Sequence, residues 1–273
     1  MNELTRRVLF AVPAAAFFLW VTWMGGWLFN GTVILLALGM VWEHARLLRM
    51  AGQHVDAVFP YTIALWILLS PYLLYVLEIG IGILLLLLAV ELFRSTERAV
   101  PELASTLFCG LYVPVGMMSF ILIRQTPTGD AGFWLAVSLL LMVWGNDIFA
   151  YFGGKNFGKR LMAPSISPKK TWEGFFSGVI GAAAGLAIVF LGVPGAFSLS
   201  YAWMVPAAIL ISIFGPIGDL TESRFKRLAG VKDSSNLLPG HGGLFDRFDA
   251  MLLAAPAMLL YLTVLAIFGY AAF

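Results

Sequence analysis

The 273-residue chain is 60% hydrophobic and 12% charged, with a mean hydropathy of +0.90 and a formal net charge of +2. A water-soluble domain averages about 45–50% apolar and about 25% charged residues, so this composition excludes an ordinary soluble globule and points to a bilayer as solvent. The single cysteine, Cys109, excludes an intrachain disulfide, and the lack of any Cys/His cluster excludes a structural zinc site on ligand count.

In chain order, Arg6-Arg7 precedes an apolar run at 8–23. Its small residues, 14–16, lie mid-run and no polar sequence follows. The run therefore predicts a retained first span over 8–24 rather than a cleaved signal. Further apolar runs of about spanning length predict helices at 27–48, 57–76, 79–93, 103–123, 132–153, 174–192, 201–220 and 249–271. The third and fourth are expected to form a tight hairpin about Glu78. Polar sequence interrupts the pattern at 154–172 and again at 223–249. At bilayer depth the backbone must satisfy its own hydrogen bonds, so runs of this length are helices. The expectation is an all-α polytopic membrane protein of about nine transmembrane helices with a cytoplasmic N-terminus. Residues 1–130 would form the first five spans, and 131–273 a catalytic region of four spans with two polar loops. Under that topology 16 of the 17 Lys and Arg lie on the inner side and only Arg124 lies outside. That asymmetry obeys the positive-inside rule and places both polar loops on the cytoplasmic face.

The second polar segment, 223–249, holds five Lys/Arg and three Asp/Glu between two apolar walls. If the eighth helix continues past 220, Asp219, Ser223 and Lys226 fall on one stripe at i, i+4 and i+7, with Glu222 at its edge. A carboxylate, a hydroxyl and an ammonium on one stripe suit a metal ion beside a phosphate. An acid just inside an apolar boundary is costly without a partner, which favours function for Asp219. Arg224 and Arg227 read more simply as snorkelling side chains at the headgroups. Glycines at 240, 242 and 243 can turn backbone N–H groups towards an anion. His241 could contact phosphate, transfer a proton or bond the loop. Asp246 and Asp249 sit at i, i+3 on a helix start. The helix dipole accounts for one of them, and the second asks for a cation such as Mg²⁺.

In the earlier loop, Asn146 and Asp147 lie about two turns inside the membrane and should face a cavity. Lys, Ser, Thr and Gly after them suit triphosphate contacts, although the lysines could equally serve anionic headgroups. There is no GxxxxGK[ST], so this is not a Walker-type loop. Glu43, His44 and Glu91 read as interfacial and without a role.

Together, Ser223-x-x-Lys226-Arg227, Lys232-Asp233 and Pro239-x-His241-Gly242-Gly243-x-x-Asp246-Arg247-x-Asp249 resemble the signature of the phosphatidate cytidylyltransferases, or CDP-diacylglycerol synthases. Asp147-x-x-Ala150-Tyr151 and Ser167-Pro168-x-Lys170-Thr171-x-Glu173-Gly174 resemble the same family upstream. The resemblance covers about a fifth of the chain. It implies the reaction of CTP with phosphatidate to CDP-diacylglycerol and pyrophosphate, with Mg²⁺ and room for a second cation such as K⁺. It also implies a homodimer in a bacterial-type inner (plasma) membrane, with no nucleic-acid partner. Asp219, Asp246 and Asp249 would hold the metal, with Ser223 and Lys226 beside them in the catalytic set. Asn146, Asp147, Lys170, Thr171, Glu173, Arg227, Lys232, Gly240, His241, Gly242, Gly243 and Arg247 would hold substrate. A CTP-dependent lipid kinase and a lipid or ion transporter are the competing expectations.

Overall fold

The computed structural model describes residues 3–94, 99–127, 130–196, 199–238, 240 and 242–270, with side chains from residue 12 onward. The helices are α1 (Glu3–Met24), α2 (Gly26–Met50), α3 (Phe59–Leu68), α4 (Val76–Arg94), α5 (Ala99–Arg124), α6 (Ala131–Phe157), α7 (Trp172–Gly192), α8 (Tyr201–Leu228), α9 (Phe245–Phe248) and α10 (Met251–Ile267). Between α6 and α7 lies one antiparallel hairpin, β1 (Leu161–Ala163) with β2 (Ser167–Thr171). Among the described residues, seven helices are long and apolar enough to cross a membrane: α2, α4, α5, α6, α7, α8 and the α9–α10 unit. The protein is thus an integral membrane protein of all-α type. Each apolar run expected to be helical is helical, and all but one of them along most of its length.

The exception is the third. It was expected over 57–76, but α3 stops at Leu68 and a single 3₁₀ turn follows at Ser70–Tyr72. Ten residues span about 15 Å, half of the hydrocarbon core. Pro71 is the cause, because it has no N–H to donate to the Ile67 carbonyl and its ring would crowd that carbonyl in a continued α-helix. The reversal therefore falls at 69–75, with Tyr75 at φ 51°, and not at Glu78, which sits in the first turn of α4.

Side-chain contacts sort the helix ends into two groups. At one end, Arg124 donates from Nε to the Thr22 carbonyl at 2.6 Å and from Nη2 to that of Trp23 at 3.1 Å. Gln125 and Asn30 both reach the Tyr72 hydroxyl there. At the other end, Arg46 donates to the Ser234 carbonyl at 3.1 Å, and Asp56 pairs with Arg94 at 2.5 Å. The Asp56 N–H donates to Thr106 at 3.0 Å. Successive helices therefore run antiparallel and the long polar segments collect at one end. Burial raises the Asp56 carboxyl, but the N–H groups of Phe59 and Val58 and the Arg94 guanidinium outweigh it and hold it below its usual value. A depressed carboxyl stabilises the fold above its ordinary pKa, and that contribution is lost as the pH falls through the depressed one. Asp56→Asn should accordingly flatten the acid limb of thermal stability below about pH 4, measured by melting in detergent.

One core joins the two halves of the chain: Phe29 and Met40 of α2, Met117 and Phe120 of α5, Leu139 of α6 and Met258 of α10 are all buried in it. Helices in lipid associate by close packing rather than by a hydrophobic drive, so small residues decide which pairs approach. α6 and α7 meet at Gly145 and Gly181, where a Cβ on either glycine would overlap the other's carbonyl.

Candidate active site

The α8 helix continues to Leu228, so Asp219, Ser223 and Lys226 share the expected stripe. Ser223 Oγ donates to Asp219 Oδ1 at 3.2 Å. Lys170 Nζ pairs with Asp219 Oδ2 at 2.7 Å. Lys170 stands on β2, a strand that the alternation of polar and apolar residues does not announce. Its hairpin is fixed from three sides. Thr171 caps α7 by accepting the Gly174 N–H at 3.1 Å. The Glu173 carboxylate accepts the N–H groups of Lys159 at 3.0 Å and Arg160 at 3.1 Å. Arg227 of α8 donates to the Ile166 carbonyl in the β-turn at 3.3 Å. Thr171, Glu173 and Arg227 thus make the loop's own bonds.

Between α6, the hairpin, α7 and α8 lies a cavity of about 590 Å³, a size suited to a small-molecule ligand. Asn146, Asp147, Lys170, Thr171 and Asp219 line it, and so do Tyr151, which stands in the upstream resemblance, and the loop lysines Lys155 and Lys169. Asn146 is buried and its Nδ2 has no protein partner. That nitrogen packs against Gly178 of α7, and a buried donor left unpaired is costly.

A second cluster forms two turns further along α8. Lys226 Nζ lies 2.6 Å from Glu222 Oε2 and 2.7 Å from Asp246 Oδ1, and the Glu222 side chain is fully buried. The other Asp246 oxygen, Oδ2, accepts the Ser234 N–H at 2.9 Å, the Ser234 hydroxyl at 2.7 Å and the Gly243 N–H at 2.8 Å. Leu238 N–H donates to the Gly242 carbonyl at 2.9 Å and closes the glycine turn. Gly240 and Gly242 have φ of +78° and +77°, the left-handed region that glycine adopts freely. Lys232, Gly240 and Arg247 are exposed around this turn. His241 lies outside the described residues.

Asp249 connects the clusters. Gly218 abuts the Asp249 carbonyl so closely that a Cβ there would overlap it, which brings α8 and the α9–α10 unit together beside Asp219. Asp249 is within electrostatic reach of Asp219, Asp147 and Lys226. The three carboxylates expected to share a metal therefore divide. Asp219 lines the cavity with Asp249 within electrostatic reach of it, whereas both oxygens of Asp246 are engaged by Lys226, Ser234 and Gly243. Among the described residues no three acids or histidines form a ready-made metal cluster. Mg²⁺ is commonly held by one or two carboxylates together with substrate phosphates, and Asp219 with Asp249 fits that donor set.

The residue missed in the sequence is Glu43. It is fully buried on α2 and accepts Ser234 Oγ at 3.1 Å, Ser235 Oγ at 2.5 Å, Leu244 N–H at 3.0 Å and Phe245 N–H at 2.6 Å. The cost of an acid inside an apolar helix, applied to Asp219, was the available signal.

The family model described as the cytidylyltransferase family matches residues 5–265. The chain belongs to the cytidylyltransferase family. A phosphatidate cytidylyltransferase of Brucella abortus is 35% identical over 275 residues, covering 97% of this chain and 96% of the relative. That of Bacillus subtilis is 33% identical, covering 94% and 96%, and that of Pseudomonas aeruginosa is 35% identical, covering 85% and 88%. In this cytidylyltransferase the likeness runs through α1–α5 as well as the polar loops. Those helices supply the Glu43 contacts on which the loop rests.

Proposed function

We propose that this cytidylyltransferase joins the cytidylyl group of CTP to the phosphate of phosphatidate, giving CDP-diacylglycerol and pyrophosphate. The observation that carries the proposal is the cavity where Asn146, Asp147, Lys170 and Asp219 converge at the polar end of a membrane bundle, in a chain similar end to end to phosphatidate cytidylyltransferases. A phosphatidate phosphate oxygen attacks the α-phosphorus of CTP. The bond from that phosphorus to the bridging oxygen breaks, and pyrophosphate leaves with the electron pair. The attacking phosphate is already ionised, so no general base is required. Transfer of this kind depends on positioning and on charge neutralisation.

Lys170 and Lys226 are the cations presented at the two clusters, each held by an acid until an anion competes for it. Asn146 and Asp147 line the wall against which the substrate lies. Ser223 orients Asp219. Mg²⁺, held by Asp219 and Asp249, would neutralise phosphate charge. The Asp246 carboxylate supports Lys226 and the glycine turn. We place the site at the cytoplasmic leaflet of an inner (plasma) membrane, supported by the excess of basic residues at that end. There phosphatidate enters sideways from the bilayer and CTP from water. We further propose a homodimer and a second cation such as K⁺, on the family resemblance of the sequence alone. Purified protein should release pyrophosphate from CTP only when phosphatidate and Mg²⁺ are both supplied, as read by a coupled pyrophosphate assay. Release that ignores phosphatidate would overturn the proposal.

A further inference from the structure

Buried carboxylates without a cation are rare, because the charge must be met by hydrogen bonds alone. Among the described residues Glu43 is such a group: its pairing with Ser234, Ser235, Leu244 and Phe245 brings four donors from the glycine-loop segment onto one side chain of α2. One turn on, Arg46 holds the Ser234 carbonyl from the same helix. His44, also fully buried, lies against Phe225 of α8 and Phe245 of α9, with ring centroids 5.0 and 5.3 Å away. Three polar residues within one turn of α2, Glu43, His44 and Arg46, thus grip the loop, α8 and α9 together.

The connection to the reacting end runs through Ser234. Its hydroxyl lies 3.1 Å from Glu43 and 2.7 Å from Asp246, and its N–H goes to Asp246. A hydroxyl has one proton to give, so Glu43 and Asp246 compete for it, and the position of Ser234 is set by both. Gly243 completes the contact: a Cβ there would overlap both Ser234 Oγ and the Glu43 carboxylate. The geometry points to Glu43 as a positioning residue for cytidylyl transfer, acting through Ser234 to fix the Asp246 carboxylate and with it Lys226. This inference rests on the proposed reaction.

Glu43→Gln keeps the shape but turns an amide N–H₂ towards N–H and O–H donors. In purified, detergent-solubilised enzyme we expect kcat to fall about 30-fold with KM for phosphatidate unchanged, within the loss that a small misplacement can cause. Adding Ser234→Ala to Glu43→Gln should leave kcat within about twofold of the weaker single variant, because both act on one link. Ser235→Ala, which removes one donor and does not touch Asp246, should cost about fivefold and keeps the test alive if Glu43→Gln does not fold. Trypsin cleavage after Lys232 is read in parallel and should quicken in Glu43→Gln whatever the reaction is. Unchanged kcat per folded molecule, multiplicative losses in the double variant, or unchanged cleavage would overturn the inference. A wild-type enzyme that makes no CDP-diacylglycerol would instead overturn the reaction, leaving the cleavage comparison to decide the role of Glu43.

Discussion

Asp246→Asn is expected to lower kcat by about 100-fold or more and to destabilise the protein as well. The two effects have one origin. Asp246 Oδ1 faces the Lys226 ammonium and Oδ2 faces three donors, so wherever the asparagine N–H₂ points, donor meets donor. Among the described residues Lys226 would keep Glu222 as its paired acid, and removing one member of a largely buried ion pair costs about 3 kcal/mol. Asp219→Asn is the instructive contrast. Asp219 touches Ser223 and Lys170 and its side chain is 33% exposed, so activity should fall as far while the melting temperature stays near that of wild type. Steady-state kinetics and melting curves on the two purified variants separate these cases. Equal melting losses would mean that Asp219 also supports the fold.

Gly181→Leu should be the most damaging single change at the helix interface, with a loss of about 3 kcal/mol or more. No side chain fits between α6 and α7 at Gly145 and Gly181. Forcing them apart also moves Asp147, two residues on from the crossing, away from the hairpin that carries Lys170. The neighbouring Ile180 is 65% exposed and faces outward, so Ile180→Leu should be silent. Cys109 is fully buried and the chain's only thiol, so its reaction with a fluorogenic maleimide during heating reports unfolding directly. Comparable melting of the two variants would contradict the close helix contact.

The stripe of Asp219, Ser223 and Lys226 was legible in the sequence because a helix repeats rigidly, and only its continuation to Leu228 had to be assumed. The spans were legible because the bilayer sets their length. What escaped depends on groups the sequence does not display. Two carboxylates at 246 and 249 suggested a shared metal, but the partners of Asp246 include backbone N–H groups, which any residue carries. Glu43 looked interfacial because its donors lie far along the chain and become neighbours only when α2 packs beside α9. The β1–β2 hairpin was read as loop because its second strand, SPKKT, has neither alternation nor aromatic residues. The early end of α3 had its signal in Pro71, outweighed by the apolar run around it.

The central claim is that the α-phosphorus of CTP, with its cytidine, ends on the lipid. Purified protein in mixed micelles with phosphatidate and Mg²⁺ would be given CTP labelled at either the α- or the γ-phosphorus, and the lipid extracted. Label from the α-position in the lipid, with the γ-label released as pyrophosphate, is the predicted result. Label from the γ-position in the lipid would mark a lipid kinase and contradict the account.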